Sequence, residues 1–303
     1  MTKITFFTLG LLSLASNFNV QAEDLTDAGK SQYTLLNPTP PQLMRDWYTD
    51  HAGVSPYTID AGHYEADITA VSYGYHHRNP ANGLLTVEAW SIGTTVIKAG
   101  LLNNLDAEVT IRPYERVRTS SIEHTFVPAP PPIIIVPGTI HFHDTRSGFG
   151  DMSSRIKWNL WGNDGGMTAL SLSGLVDYPT ASDNLGNRQF EGGPALEFAA
   201  HLPCGFEMRI DSNVQFFSDY SNARQASFEN LISFSHQIIG RLEGYCVFNT
   251  ETYTTPNVSW EGTVKVGANY RLAKNVELAA GILLGVNGNV YDYNPFFGIA
   301  ARF

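Results

Sequence analysis

Three residues with metal-binding side chains stand close together in the stretch HFHD. His141 and His143 are two positions apart, so they share one side of an extended strand, and Asp144 follows directly. Two imidazoles and a carboxylate are ligands that zinc and other transition metals accept. No second cluster with matching spacing occurs in the chain. The ligand set is incomplete, and we predict neither a metal site nor a cofactor.

A second candidate chemistry is lipid hydrolysis, which some outer-membrane barrels perform. His63, Asp67 and one of many serines could form a base, acid and nucleophile, but no spacing selects a particular serine. The chain has no G-x-S-x-G elbow, phosphate-binding loop, nucleotide fingerprint or zinc-type cysteine pair. Its two cysteines, Cys204 and Cys246, make no disulfide framework. We therefore predict that the protein is not an enzyme.

The elements that must carry these residues are strands. In EGTVKVGANYRL, Val264, Val266 and Tyr270 share one face, and the polar residues share the other. RIKWNLW alternates in the same way. The segments near 85–98 and 228–238 alternate poorly, which indicates a bulge there. About twelve strands follow, near 60–75, 85–98, 106–116, 154–162, 167–177, 194–202, 205–217, 227–238, 239–250, 258–271, 276–286 and 294–303.

The connections between these strands are alternately long and short. Up-and-down outer-membrane barrels have short periplasmic turns and longer extracellular loops. Most predicted strands also reach about ten residues, the length of a tilted membrane-crossing strand. No stretch after the first residues approaches the 18 apolar residues of a transmembrane helix. We predict an all-β fold, a transmembrane up-and-down antiparallel β-barrel of about twelve strands over residues 59–303.

The last predicted strand ends at Phe303 with alternate apolar residues. We expect it to pair with the first strand, which closes the sheet and leaves no free edge. Phe303 is then expected at the periplasmic interface, within an aromatic girdle. An ending of this kind resembles the signal that the outer-membrane assembly machinery reads, so that machinery is an expected partner.

If the apolar faces contact lipid, the charged side chains on the opposite faces line the lumen. Acids and bases balance on this face, which favours cross-strand ion pairs over a pore selective for one sign of charge. The predicted lumen residues are Glu65, Asp67, Glu108, Arg112, Arg155, Lys157, Glu197, Glu207, Arg209, Asp211, Arg241, Glu243, Glu261, Lys265, Arg271 and Arg302.

Two segments outside the strands are distinctive. Residues 1–22 read as a signal peptide, with Lys3, an apolar stretch and the small-x-small triplet VQA. Residues 23–58 are too short for a domain and are expected either to plug the barrel or to lie in the periplasm. The long connection 117–153 contains PAPPPIIIVPG, and its apolar run Ile133, Ile134, Ile135 and Val136 is expected to contact solute, to narrow the pore or to touch the lipopolysaccharide surface.

Several stretches carry a resemblance to a known family. They are LLNPTPPQLMRDWYTD, SPYTIDAGHYEADI, EGGPALEFAAHLP and, most specifically, the run from Gly148 to Thr180. In these stretches the chain resembles the outer-membrane barrel family named for the MetA pathway of phenol degradation. The resemblance implies an outer-membrane transporter and supplies no catalytic residues. The step TDHAG and the insertion PAPPPIIIVPG depart from the family pattern.

The function expected from these observations is passive passage of small organic, aromatic or hydrophobic compounds across the outer membrane of a Gram-negative cell. The formal charge of −10 argues against nucleic acid as a partner. The alternatives are a closed structural or surface-binding barrel and an outer-membrane lipid enzyme. The expected partners are a small organic solute and outer-membrane lipid.

Overall fold

A computed structural model describes residues 29–45, 49, 51, 53–78, 83–128, 135–182, 185–186, 188–218, 223–255, 258–288 and 290–303. The predicted signal peptide lies outside the described residues. Fourteen antiparallel strands dominate, accompanied by short 3-10 turns. The strands are Tyr64–Arg78 (β1), Gly83–Leu102 (β2), Leu105–Ile111 (β3), Tyr114–Pro128 (β4), Ile135–Gly148 (β5), Met152–Trp161 (β6), Thr168–Tyr178 (β7), Glu191–His201 (β8), Phe206–Ser218 (β9), Arg224–Ile239 (β10), Leu242–Tyr253 (β11), Glu261–Ala273 (β12), Val276–Gly285 (β13) and Tyr293–Arg302 (β14).

Twelve of the strands form a closed ring. The order around the ring is β1, β2, β3, β6 and then β7 to β14 in sequence, and β14 returns to β1. The closing pair runs from Glu65 opposite Arg302 to Tyr75 opposite Tyr293. At the end of that pair, the Tyr64 and Phe303 main chains exchange two hydrogen bonds of 3.1 and 2.8 Å. The predictions of an all-β barrel of about twelve strands and of a closing last strand are confirmed.

The connection predicted over 117–153 is where the structure differs most from the sequence prediction. It contains the hairpin of β4 and β5, with β4 continuing β3 and β5 leading into β6. β4 pairs with the first half of β2, from Gly83 opposite Glu123 to Ile92 opposite Tyr114. The hairpin thereby extends the barrel wall on one side. The run of prolines suggested irregular chain, yet the residues on both sides of it form strands.

A line of irregularities crosses the neighbouring strands β1, β2, β3/β4 and β5/β6. The β1–β14 register shifts between Thr69 and Val71, and Gly93 of β2 has a φ of +73°. β3 and β4 are separated by Arg112 and Pro113, and β5 and β6 by residues 149–151. A bulge bends a strand and increases its local twist. Because the irregularities lie at the same level, these neighbouring strands all bend at that level. The bulge predicted near 85–98 corresponds to Gly93.

Strand alternation separates an apolar outer wall from a polar inner wall. Large apolar side chains such as Ile156, Trp158, Leu196 and Phe297 are exposed on the outside. The most buried side chains in the chain are largely polar or charged, and they include Glu65, Lys157 and Glu197. A soluble protein shows the opposite arrangement. The centre of this fold is therefore a polar lumen, and its outer wall needs an apolar environment.

The described part of the chain contains no helix of the length and hydropathy that a membrane-spanning helix requires. The two cysteines are both free: Cys204 lies in the turn between β8 and β9, and Cys246 lies within β11.

Candidate functional site

The inner wall of the barrel carries most of the ionisable side chains, and adjacent strands pair them. Lys98 of β2 donates to Glu65 of β1 across 2.9 Å, with both side chains buried. The same row continues through cross-strand neighbours, from Lys98 to Glu108 and from Glu108 to Arg155. Such ladders compensate charges that are removed from water.

Glu197 of β8 is the most enclosed of these acids, with no exposed surface. Its carboxylate accepts hydrogen bonds from the hydroxyls of Ser171 and Ser173, and Arg155 lies 3.9 Å away. Asp211 is the direct cross-strand neighbour of Glu197 on β9. Two adjacent acids repel each other, and the serine hydroxyls and the Arg155 guanidinium offset that repulsion.

Two of the sixteen predicted lumen residues lie outside the strands. Arg112 lies between β3 and β4 and donates to the Asp151 carbonyl at 2.5 Å. Arg241 lies in the exposed turn between β10 and β11 and donates to the Leu272 carbonyl at 3.2 Å. The other fourteen lie in strands, and their registers place them on one face of the sheet.

Further ionisable residues share this face and were not predicted there. Among them are Lys98, Asp106, Asp177, Glu191, Glu229, Glu251 and Glu277. Glu251 continues the alternation of β11 one residue beyond the predicted strand 239–250, whereas Glu229 lies in the segment near 228–238, which alternates poorly in the sequence. Lys98 pairs with Glu65 across two strands, a contact for which the sequence alone offers no signal.

The segment before β1 lies inside one end of the barrel. We call it the turn end, because the short turns, the start of β1 and the end of β14 all lie there. Lys157 of β6 donates to the Ser55 carbonyl at 2.7 Å, and Asn159 donates to the Pro56 carbonyl at 2.9 Å. Three places further round the ring, Arg209 of β9 donates to the Thr49 carbonyl at 2.9 Å. The described residues of the stretch 49–60 therefore touch strands a quarter of the ring apart.

Further contacts fix the same stretch at both of its ends. The Thr49 hydroxyl donates to Glu277 of β13 at 2.7 Å. The buried His51 imidazole lies 3.4 Å from the Asp67 carboxylate of β1. Gly53 packs closely against β10, where an added Cβ would come within 3.1 Å of the Ser233 hydroxyl. The stretch thus contacts β1, β6, β9, β10 and β13.

A buried ionic cluster joins this segment to the turns of the barrel. Arg45 donates to Asp60 at 3.0 Å and to the Asn103 carbonyl at 2.7 Å. Lys30 lies 2.6 Å from Asp164, which belongs to the turn between β6 and β7. Burial by itself would raise the pKa of Asp164, but Arg45, Lys30 and Asn103 hold that pKa below its usual value of 3.8. The carboxylate is therefore stabilised in its charged form.

The residues considered for a metal site and for lipid hydrolysis do not come together in the structure. His143 lies on the outer face of β5, where its ring contacts the Ser120 hydroxyl at 3.0 Å, whereas Asp144 lies on the other face and pairs with Arg146 at 2.8 Å. His141 shares the outer face with His143. Within the described ranges, no group of three metal-binding side chains converges.

The base proposed for lipid hydrolysis is engaged elsewhere. The ring nitrogens of His63 face the carbonyl oxygens of Phe303 at 3.1 Å and of Thr39 at 2.7 Å. Asp67, its proposed acid, lies beside His51 instead. In this structure His63 holds the N-terminal segment to the end of the barrel.

The apolar run of the long connection falls partly outside the described residues. Ile133 and Ile134 lie outside them, and Ile135 and Val136 begin β5. Further along β5, Ile140 and Phe142 are exposed. Their partners on β4, Glu123 and Ser121, belong to the face that continues the lumen wall. An apolar surface at this end of the barrel is thus provided by β5.

Comparisons with known proteins agree with this architecture. A family profile described as "Putative MetA-pathway of phenol degradation" matches residues 52–303. The structure is similar to an outer membrane channel from Pseudomonas putida F1, with a TM-score of 0.52 at 12% identity, covering 85% of this chain and 100% of that one. It is also similar to the translocator domain of the autotransporter NalP from Neisseria meningitidis, with a TM-score of 0.50 at 8% identity, covering 84% and 90%. Curated protein sequences give no match. At these identities, the two likenesses show that the fold is that of an outer-membrane β-barrel.

Proposed function

We propose, from the premise that this chain belongs to the family described as "Putative MetA-pathway of phenol degradation", that it is an outer-membrane channel for the passive passage of small organic compounds. One observation carries the proposal: the wall is apolar outside and charged inside along nearly the whole ring. A barrel of this kind suits a lipid bilayer on its outside and water with dissolved solutes on its inside. The proposed location is the outer membrane of a Gram-negative cell.

Compounds with both polar and apolar parts fit this lumen best. The inner wall combines the ion pairs described above with a small apolar cluster of Tyr245, Val247, Leu231 and Phe296. The Lys265 ammonium lies 5.8 Å from the Tyr245 ring and 5.9 Å from the Phe296 ring, within the range of a cation–π contact. Aromatic compounds belong to the proposed substrate class because aromatic rings lie beside charged groups on the inner wall.

The segment of residues 23–58 acts, in this proposal, as a plug at the turn end of the lumen. Its support is the set of contacts from residues 49–58 to opposite sides of the ring. Passage then requires the plug to shift or to leave a narrow path beside it. The alternative of a closed structural barrel rests on the same contacts, because a plug that never moves would seal the lumen.

Single-channel recording in planar bilayers separates these possibilities. The mature protein is compared with Arg209→Gln, which removes two hydrogen bonds to the plug, at the carbonyls of Thr49 and Gly53. Arg241→Gln is the matched control, since Arg241 lies in an exposed turn and donates to the Leu272 carbonyl of β12. We expect small conductance steps from the mature protein and from the control, and larger or more frequent steps from Arg209→Gln.

Each result has a definite meaning. If the folded mature protein and Arg209→Gln both give no steps and no solute uptake into liposomes, the channel proposal is wrong and the closed barrel is favoured. Steps that are identical in the mature protein and in Arg209→Gln leave the channel in place and contradict the plug.

A further inference from the structure

The outer wall of the barrel carries ionised side chains at one concentrated place. Arg116 and Arg118 lie two positions apart on the outer face of β4, and both are exposed. Glu88 of β2 faces Arg118 across the β2–β4 pair. On the outer face of the other described strands, the only Asp, Glu, Lys or Arg is Arg224, the first residue of β10. Charge on a lipid-facing wall is costly at mid-membrane and nearly free at the interface, so its position matters.

The register fixes the height of this pair. Tyr64, at the turn end, faces Ala99, and Trp90, nine residues along β2, faces both Tyr73 and Arg116. A rise of about 3.4 Å per residue with a tilt of about 40° places Trp90 about 23 Å above the Tyr64 level. Arg118, opposite Glu88, lies two residues higher. The apolar band of such barrels is about 25 Å tall, so Arg116 stands at its upper edge and Arg118 stands at the head-group level of the distant leaflet.

Aromatic rings mark the same level independently. Tyr73 and Trp90 have ring centroids 4.5 Å apart, and Tyr75 stacks on Tyr293 at 5.2 Å. Tyrosine and tryptophan rings concentrate where hydrocarbon meets head groups. Arg116 lies beside Trp90, so the guanidinium groups stand next to the girdle and not within the hydrocarbon.

The protein itself neutralises this pair only in part. Arg118 lies 3.7 Å from the Glu88 carboxylate, whose other oxygen accepts a hydrogen bond from the Tyr73 hydroxyl at 3.1 Å. Arg118 is half exposed, at 53% of its side chain. Within the described part of the chain, no carboxylate pairs with Arg116. Two arginines facing outward therefore present net positive charge to the lipid head groups.

We infer that Arg116 and Arg118 bind a phosphate group of lipopolysaccharide in the outer leaflet. Guanidinium groups pair with phosphate oxygens through two parallel hydrogen bonds, and head-group phosphates are the anions available at this height. Ser120 and His143 continue the same face just above and add polar groups beside the arginines. The inference rests on the membrane location in the proposed function and does not require passage through the lumen.

The test measures retention of lipopolysaccharide by the purified, delipidated protein in detergent. The double variant Arg116→Gln/Arg118→Gln is compared with Arg146→Gln, which removes one charge from the opposite face of the same hairpin. Two interfacial arginines correspond to about a thirtyfold loss of affinity. We expect that loss in the double variant, and less than a threefold change in the control.

Further arms of the experiment identify the ligand chemistry. Lipopolysaccharide with its lipid A phosphates removed should bind the unaltered protein as weakly as intact lipopolysaccharide binds the double variant, and phosphatidylethanolamine should not compete. Arg116→Lys/Arg118→Lys retains the charges and should bind within about tenfold of the unaltered protein. If the double variant fails to fold, weakening of native binding between low and high salt replaces it.

Equal binding by the double variant and the unaltered protein would overturn the inference, as would equal binding of the dephosphorylated lipid. Salt-independent binding would overturn it as well. Protein that is folded and monomeric without detergent would instead contradict the membrane location on which the inference rests. That result can be told apart from a loss of lipopolysaccharide binding, because it is observed with no lipid added.

Discussion

At the scale of single residues, the inner wall works by compensation between neighbours. Glu197 has no exposed surface, and its charge is tolerated because two serine hydroxyls and Arg155 surround it. Such a group contributes little net stability as part of a complete set. Its removal is expensive, because the hydroxyls of Ser171 and Ser173 lose their acceptor and Arg155 loses an acidic neighbour.

Glu197→Ala should therefore destabilise the barrel by about 3 kcal/mol, because the Arg155 guanidinium loses its carboxylate. Urea unfolding in lipid vesicles measures this loss. The double variant Glu197→Leu/Arg155→Met removes both charges and should recover most of the stability. A single variant as stable as the unaltered protein would show that Glu197 is not a structural hub.

Gly100 tests the seating of the N-terminal segment at one atom. A Cβ at this position would lie 2.1 Å from the Asp60 carbonyl oxygen. Gly100→Val should displace the segment, cost about 1–3 kcal/mol and increase its cleavage by added protease. Gly174→Val is the matched control, since nothing lies within 4 Å of its Cβ position. Equal protease resistance of the two variants would contradict the close packing.

Residue placement was predictable wherever a strand alternates. Fourteen of the sixteen residues chosen from the sequence share the inner face, because the period of two fixes which way each side chain points. Arg241 was placed in the lumen because it was read as part of a strand, whereas it belongs to a two-residue turn. Turn boundaries depend on backbone geometry that the period does not report.

At the scale of elements, strands were easier to predict than their irregularities. The segment 228–238 alternates regularly up to Gln237, where the β10–β11 register shifts, and its period is obscured because Leu231 points inward and Asn230 points outward. Leu231 packs against Gly53 of the segment that crosses the lumen, and Asn230 accepts from Ser212 at 2.9 Å. Both exceptions depend on contacts made by distant parts of the chain, which a local pattern cannot show.

The connection 117–153 was harder to predict for a similar reason. Its strands carry polar and charged residues on both faces, including Arg116 and Arg118 outside and Glu115 inside. Such a sequence lacks the apolar face from which the other strands were predicted. Its strands form because β4 pairs with β2. β2 has 20 residues and extends well beyond the seven-residue β3.

The turn between β6 and β7 gives the N-terminal segment a dependence on pH. The pKa of Asp164 is held below 3.8 in the folded protein. A depressed carboxyl pKa adds stability that is present above the unfolded value and is lost as the pH falls through the folded value. We expect the segment to become sensitive to acid-active protease below about pH 4. Asp164→Asn should be more sensitive than the unaltered protein at pH 7 and should show a smaller further change on acidification.

At the scale of the whole molecule, the end of the lumen opposite the plug is acidic. Glu229, Glu251 and Glu261 stand side by side on β10, β11 and β12. Asn213 and Asn249 donate to Glu229 at 2.7 and 2.6 Å, which orients the carboxylate without neutralising it. The balance of acids and bases expected from the sequence therefore does not hold along this row.

The acidic row should make the open channel prefer cations. In a potassium chloride gradient across a planar bilayer, the reversal potential should take the sign of cation selectivity. Glu229→Gln/Glu251→Gln should move it toward zero, while Glu88→Gln on the outer wall should leave it unchanged. A reversal potential of anionic sign in the unaltered protein would contradict this prediction.

The overall architecture was the most predictable level of all. A closed sheet in lipid must expose apolar residues at every second position and leave no unpaired edge. The first requirement identified about twelve alternating strands, and the second predicted the closing pair, which the structure forms between β1 and β14. The path of residues 49–60 was beyond the same reasoning, because irregular chain has no period.

The way this path is held has a consequence for how the stretch can change. Lys157, Asn159 and Arg209 donate to the carbonyl oxygens of Ser55, Pro56 and Thr49, and Arg302 donates to that of Arg45, just before the stretch. Every amino acid offers that oxygen, so these four contacts do not depend on which residue supplies it. A complete mutational scan should then find the four donors intolerant and, within the stretch, should find intolerance at His51, Gly53 and Asp60, which a side-chain contact or close packing holds.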